Sequence, residues 1–140
     1  MLKNIPVNLA PELVKIMMEM GHGDQIVLGD GNFPASSHHH QVIRADGLGV
    51  VELLESILTL MPLDPYAEHQ VKLMAILPGD DFQPVIWEEY KEVLNRHYDN
   101  CQIDYLERFS FYEEAKKSYA IVATSEKSLY ANVILKKGVL

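Results

Sequence analysis

Apolar residues recur at a helical spacing in three parts of the chain. The first repeat predicts a helix over Pro11–Met20, with a buried face formed by Leu13, Ile16, Met17 and Met20. Gly21 is predicted to end that helix in a left-handed conformation. The longest repeat predicts a second helix over Val50–Met61, and a third follows over Pro84–His97. The spacing from Ser110 to Glu113 is typical of a capping box, which predicts that a short fourth helix begins there.

Short runs of β-branched and aliphatic residues lie between these helices and predict strands. The predicted strands are Gln25–Gly29, Gln41–Arg44, Gln70–Leu77, Gln102–Leu106, Ala120–Thr124 and Asn132–Lys136, and the last two are predicted to be neighbours. Because strands and helices alternate, we expect an α/β fold, a three-layer α/β/α sandwich with a mostly parallel or mixed sheet. The length of 140 residues predicts a single domain over residues 1–140.

Composition and charge limit the classes of partner. Hydrophobic residues make up 48% of the chain and charged residues 23%, which is typical of a globular protein. The net charge of −8 repels phosphate backbones and argues against nucleic acid. We expect no membrane partner, because the longest apolar stretch contains Glu52 and Glu55 and the N-terminal segment lacks the apolar core of a leader. The only cysteine, Cys101, fits a reducing, cytoplasmic location.

Several polar residues lie at the ends of predicted strands, where open α/β sheets bind ligands. Asp30 and Arg108 each follow a strand, and Tyr130 and Asn132 lie beside the last one. His22 lies in a turn between two glycines. Each residue has a common structural role when taken alone, such as a turn, a helix end or a solvated charge. Only their joint placement points to a binding site.

Three consecutive histidines, His38–His40, offer a different hypothesis. In an extended segment His38 and His40 share a face and could bind a zinc or nickel ion, as in a histidine-cluster metal protein. A dedicated metal site needs further ligands, and neither cysteines nor other histidines lie nearby in the sequence. We therefore expect a polar loop here, with no metal and no cofactor.

Four segments resemble a known family in their order and spacing: PELVKIMMEMGHGDQIVLGDGNFPA, QVIRADGLGVVELL, RFSFYEEAKKSYAIVAT and LYANVILKKGV. Together they resemble the sugar mutarotase family that comprises L-fucose mutarotase and D-ribose pyranase, over essentially the whole chain. RFSFYE and IRADGL are similar to the fucose branch. The resemblance implies a ring-shaped homo-oligomer, a decamer in known relatives, with sites near subunit contacts. It also implies a proton donor at His22 and substrate contacts at Asp30, Arg108, Tyr130, Ala131 and Asn132.

The implied activity is isomerisation, the interconversion of the α and β anomers of L-fucose or a related reducing monosaccharide. Ring opening needs a proton delivered to the ring oxygen and another removed from the anomeric hydroxyl, and histidine suits the first task near neutral pH. Tyr130, Asp30 or a bound water could accept the second proton. Phe33 could pack on the apolar patch of a 6-deoxy sugar. The alternatives are a pyranose–furanose converter acting on D-ribose and a non-catalytic monosaccharide-binding protein.

Overall fold

The computed structural model describes residues 1–140 and contains one six-stranded sheet with five helices. The helices are α1 (Pro11–Glu19), α2 (Ala35–His38), α3 (Val50–Leu60), α4 (Ile86–His97) and α5 (Arg108–Lys117), and the strands are β1 (Gln25–Gly29), β2 (Val42–Ala45), β3 (Val71–Met74), β4 (Ile103–Leu106), β5 (Ala120–Thr124) and β6 (Val133–Lys136). All six predicted strands are present. The short helix α2 lies where the sequence predicts an irregular loop. None of the helices has the length and apolar character needed to cross a bilayer.

The strand order across the sheet is β2-β5-β1-β6-β3-β4. The strand β6 runs antiparallel to its neighbours β1 and β3, and the other neighbouring pairs are parallel, so the predicted mixed sheet is confirmed. The prediction that the last two strands are neighbours is wrong, because β1 lies between β5 and β6. This central place suits β1, since Ile26, Val27 and Leu28 are fully buried and apolar on both faces of the sheet.

Alternating side chains of the strands separate two hydrophobic cores. Ile26 and Leu28 of β1 face a large core shared with α1, α3 and α4. Val27 faces the opposite way, toward a smaller core that contains Phe111 of α5 and Ala35 of α2. Helices therefore cover both faces of the sheet, and the predicted three-layer α/β/α sandwich is confirmed.

At two helix ends, the residues that end or cap the helix differ from the predicted ones. The helix α1 ends at Glu19, and Met20 after it is extended. The left-handed residue of the following turn is Gly23, with φ of 87°, instead of Gly21. The helix α5 begins two residues before Ser110, because the Glu107 side chain caps it: its carboxylate accepts hydrogen bonds from the backbone N–H groups of Phe109 (2.9 Å) and Ser110 (3.2 Å). The predicted capping box at Ser110 is therefore wrong.

The cap gives a prediction about stability. Replacing Glu107 by alanine is expected to lower the free energy of unfolding by about 1 kcal/mol, because two N–H groups at the helix start lose their acceptor. The matched variant Ser110→Ala removes a hydroxyl from the same exposed turn and should change stability by less than about 0.5 kcal/mol. Chemical denaturation of both variants checks this, and equal losses in the two would contradict the assignment of the cap.

Candidate functional site

A cavity of about 250 Å³ opens at the edge of the sheet where the parallel strands end. Asp30 follows β1, Asp80 lies in the segment after β3, and Arg108 follows β4. Tyr130 and Asn132 precede β6, and because β6 is antiparallel to its neighbours, its start lies at the same edge. The structure thus brings these four predicted residues together with Asp80. The remaining lining residues are Asn32, Phe33, Met74, Leu77, Tyr112 and Leu129.

Asp30 is a buried carboxylate in the wall of this cavity. Its backbone N–H donates to Oδ1 of Asn132 (2.8 Å), and its own Oδ1 accepts from the backbone N–H of Asn32 (2.9 Å). Burial raises the pKa of Asp30, although the hydrogen bond from the backbone N–H of Asn32 favours the charged form. Asp30 is therefore a stronger base than an exposed aspartate.

Tyr130 and Asp80 form a hydrogen-bonded pair in the same wall. The Tyr130 hydroxyl donates to Oδ2 of Asp80 (2.5 Å) and accepts from the backbone N–H of Leu77 (3.3 Å). Their hydrogen bond raises the pKa of Tyr130 and lowers the pKa of Asp80. Tyr130 has a left-handed backbone with φ of 57°, and its carbonyl accepts a hydrogen bond from Nε1 of Trp87 (2.8 Å). These contacts hold the phenol at the cavity.

Arg108 and Ala131 contribute to the cavity in different ways. The guanidinium carbon of Arg108 lies 5.2 Å from the ring centroid of Phe109 and 5.8 Å from that of Tyr112, where the ring electrons attract the cation. The exposed guanidinium offers planar donors to a ligand in the cavity. Ala131 is fully buried, and its carbonyl accepts from the Tyr90 hydroxyl (2.6 Å), so it supports the wall from behind.

His22 lies at the opposite edge of the sheet, before β1 begins. The five residues of β1 separate it from Asp30 by about 16 Å. Its Nε2 lies 2.9 Å from Oδ1 of Asp64, whose side chain is only 4% exposed, whereas the His22 side chain is 46% exposed. Within a single copy of the chain, His22 therefore does not reach the cavity.

The three consecutive histidines are tied into the fold. The expected polar loop is wrong at its start, because His38 is the last residue of α2. In His39, Nδ1 accepts from the backbone N–H of Gln41 (2.9 Å), and Nε2 donates to the carbonyl of Ser118 (2.9 Å). Both ring nitrogens of His39 are thus in use, and no group of three or more histidine, cysteine or acidic side chains is placed to hold a metal ion.

The model of a protein family described as the RbsD / FucU transport protein family matches residues 3–140. The chain belongs to this family. It is 49% identical to human fucose mutarotase over 145 residues, which cover 99% of this chain and 94% of the relative. The L-fucose mutarotase of Actinobacillus pleuropneumoniae is 46% identical over 140 residues, covering 99% of this chain and 97% of that protein.

A solved structure is similar to this RbsD/FucU protein over its whole length. The fucose mutarotase of Streptococcus pneumoniae in complex with L-fucose has a TM-score of 0.95 and 54% identity, and the match covers 99% of both chains. The resemblance predicted from four sequence segments, including the fucose branch, is confirmed by these relatives.

Three residues of this RbsD/FucU protein escaped the sequence prediction. Asp80 follows the Pro-Gly turn after a predicted strand, so the rule about strand ends could have found it. Tyr112 lies four residues after Arg108 on one helix and therefore shares its face. Asp64, the partner of His22, lies 42 residues away in sequence and has no local signal.

Proposed function

We propose that this protein is an isomerase that interconverts the α and β anomers of L-fucose by acid–base opening and reclosure of the sugar ring. The observation that supports this most directly is the convergence of Asp30, Arg108, Tyr130 and Asn132 on one polar cavity. The family relatives add support, since they are named fucose mutarotases and one was solved with L-fucose bound.

The reaction needs only two proton transfers. A proton reaches the ring oxygen as the bond from that oxygen to C1 breaks, and the anomeric hydroxyl loses its proton as C1 becomes a carbonyl. Rotation about C1–C2 then presents the other face for reclosure, which reverses both transfers. General acid–base catalysis contributes about 10²- to 10⁴-fold to such steps, so side chains of the protein suffice for the chemistry.

Asp30 is the group in the cavity best suited to accept the proton of the anomeric hydroxyl. Two carboxylates line the cavity, and burial raises the pKa of Asp30, whereas the hydrogen bond from Tyr130 lowers the pKa of Asp80. The base with the higher pKa is the stronger acceptor near neutral pH. The amide of Asn132 and the guanidinium of Arg108 then serve as hydrogen-bond donors to sugar oxygens.

The proton donor His22 comes from a neighbouring copy in a ring-shaped homo-oligomer, which we propose to be a decamer. The separation of His22 from the cavity along β1 supports this arrangement, because a head-to-tail contact brings opposite edges of two copies together. Exposed apolar side chains offer a surface that contacts between copies could bury. Met1, Leu2, Val7 and Met18 are each at least 79% exposed.

We also propose a cytoplasmic location for the protein. Cys101 is half-buried and is the only cysteine, and burial raises its pKa to about 11, so it stays a protonated, unreactive thiol. A chain without disulfides is typical of a reducing compartment.

Saturation-transfer NMR on a panel of reducing sugars tests the proposed activity. The expected result is exchange between the anomers of L-fucose well above the rate in buffer. Faster pyranose–furanose exchange on D-ribose than anomer exchange on L-fucose would favour the ribose reaction instead. Saturable sugar binding with no exchange above buffer would make the protein a non-catalytic binder.

A further inference from the structure

Asp80 lines the cavity from a tight turn that follows β3. Its backbone N–H donates to the carbonyl of Leu77 (3.0 Å) and closes the turn. Pro78 suits the first central position of a type II turn, and Gly79, with φ of 87°, takes the left-handed second position. The turn therefore fixes the place of the Asp80 carboxylate at the edge of the sheet.

Both oxygens of the Asp80 carboxylate accept hydrogen bonds. Oδ1 accepts from the backbone N–H of Phe82 (2.9 Å), and Oδ2 accepts from the Tyr130 hydroxyl (2.5 Å). The Phe82 ring is stacked beside the Tyr130 ring, with 5.9 Å between the centroids and 28° between the planes. The segment around Asp80 thus holds the phenol both at its hydroxyl and at its ring.

The Tyr130 hydroxyl keeps little hydrogen-bonding capacity for a ligand. A hydroxyl has one hydrogen to donate and two lone pairs that can accept. The bond from Tyr130 lowers the pKa of Asp80, so this carboxylate is ionised near neutral pH and can only accept. The phenol hydrogen therefore points to Asp80, and one lone pair accepts from the backbone N–H of Leu77 (3.3 Å). What remains for a ligand is one lone pair and no hydrogen.

We infer that Asp80 is a positioning residue that makes the Tyr130 phenol a hydrogen-bond acceptor for one hydroxyl of the sugar, an inference that rests on the proposed function. The sugar hydroxyl that lies against Tyr130 donates its hydrogen to the phenol oxygen. Arg108, which can only donate, lines the same cavity, so the site contains both kinds of partner that a sugar hydroxyl needs. Asp80 thereby selects for ligands with a hydrogen-bond donor at this position.

Asp80→Asn should reverse the direction of this hydrogen bond and keep the shape of the side chain. Asparagine has one accepting oxygen, and the backbone N–H of Phe82 needs it. Its NH₂ group then faces Tyr130 and donates to the phenol oxygen, so the phenol hydrogen turns toward the cavity. The matched control Asp81→Asn makes the same change at the next residue, which is exposed and does not line the cavity.

Carbon NMR of the intact, [¹³Cζ]tyrosine-labelled protein tests the hydrogen bond itself. The Tyr130 signal is identified by its absence from Tyr130→Phe, and its shift with pH reports the ionisation of the phenol. Because the bond to Asp80 raises the pKa of Tyr130, the phenol should ionise at a lower pH in Asp80→Asn than in the unchanged protein or Asp81→Asn. Equal titration in all three proteins would overturn the proposal.

The unchanged protein gives a second readout that needs no variant of Asp80. Its Tyr130 should ionise above the ordinary tyrosine pKa of about 10, because the phenol hydrogen is shared with a carboxylate. A Tyr130 that ionises at or below that value would overturn the proposal even if Asp80→Asn did not fold.

Calorimetric binding of L-fucose and its monofluorinated analogues, each with one hydroxyl replaced by fluorine, tests the consequence for the ligand. Fluorine cannot donate a hydrogen bond. At least one analogue should bind the unchanged protein and Asp81→Asn about two- to tenfold more weakly than L-fucose, through the lost bond to Tyr130. That loss should vanish in Tyr130→Phe and shrink in Asp80→Asn. Losses that are the same in all four proteins would overturn the proposal.

The outcomes also separate this inference from the proposed function. If the unchanged protein exchanges L-fucose anomers but the analogue losses do not depend on Asp80, only the role of Asp80 fails. If L-fucose binds without exchange above buffer and the losses follow the expected pattern, the isomerase activity fails and the role of Asp80 in ligand recognition stands. No saturable binding of L-fucose would overturn both.

Discussion

Replacing His22 by alanine is expected to lower the exchange between L-fucose anomers by about 10²- to 10⁴-fold, the contribution of general acid–base catalysis. The fold should survive, since the side chain is 46% exposed and Asp64 is its only hydrogen-bond partner. Saturation-transfer NMR measures the exchange, and circular dichroism checks the fold.

A second histidine provides the control for this prediction. His40 is exposed and its ring stacks only on His39, so His40→Ala should keep the original exchange rate. An exchange rate for His22→Ala within about twofold of the unchanged protein would end the role proposed for His22.

Replacing Asp30 by asparagine is expected to lower the exchange activity and to raise the stability of the fold. Exchange should fall by about 10²-fold or more, because the cavity loses the base proposed for the anomeric hydroxyl. Stability at neutral pH should rise, because the fold raises the pKa of Asp30 and the ionised form is therefore less favourable in the folded than in the unfolded chain. Thermal unfolding at pH 7 and NMR exchange measure the two effects.

The pH dependence of the stability difference between Asp30→Asn and the unchanged protein checks the sign of this effect separately. A group whose pKa is raised in the folded state binds its proton more tightly there, so the destabilisation fades as the pH falls toward the carboxylate range near 4. The advantage of Asp30→Asn should therefore shrink on acidification. Asp46 also precedes a glycine in a turn but is exposed, so Asp46→Asn should show neither effect. A loss of stability in Asp30→Asn at pH 7 would contradict the account of the buried charge.

The sequence predicts a strand well where the local composition alone determines that the segment is a strand. The run of buried aliphatic residues in β1 is sufficient to place it in the sheet, and the end of β1 places Asp30 at the edge of the sheet where the cavity opens. The order of the strands in the sheet depends on contacts between residues that are far apart in the sequence. The strand β6 pairs with β1 and β3 through register contacts such as Ile26 with Leu135, and no short segment contains that information.

The site shows the same division between local and distant signals. Arg108 could be placed after β4 from its own neighbourhood, but the start of α5 depended on Glu107, whose long side chain is an unusual helix cap. The pairing of His22 with Asp64 joins residues 42 positions apart, and the pairing of His22 with the cavity crosses between copies in our proposal. Sequence periodicity within one chain describes neither contact.

A mixing experiment tests most directly whether His22 of one copy completes the cavity of another. Inactive His22→Ala and Asp30→Asn chains are co-expressed in equal amounts and purified as mixed oligomers, and anomer exchange on L-fucose is measured by NMR. The account predicts that about one quarter of the sites regain both groups, since each site draws one residue from each of two copies at random. Mixed oligomers as inactive as the separate variants would contradict it.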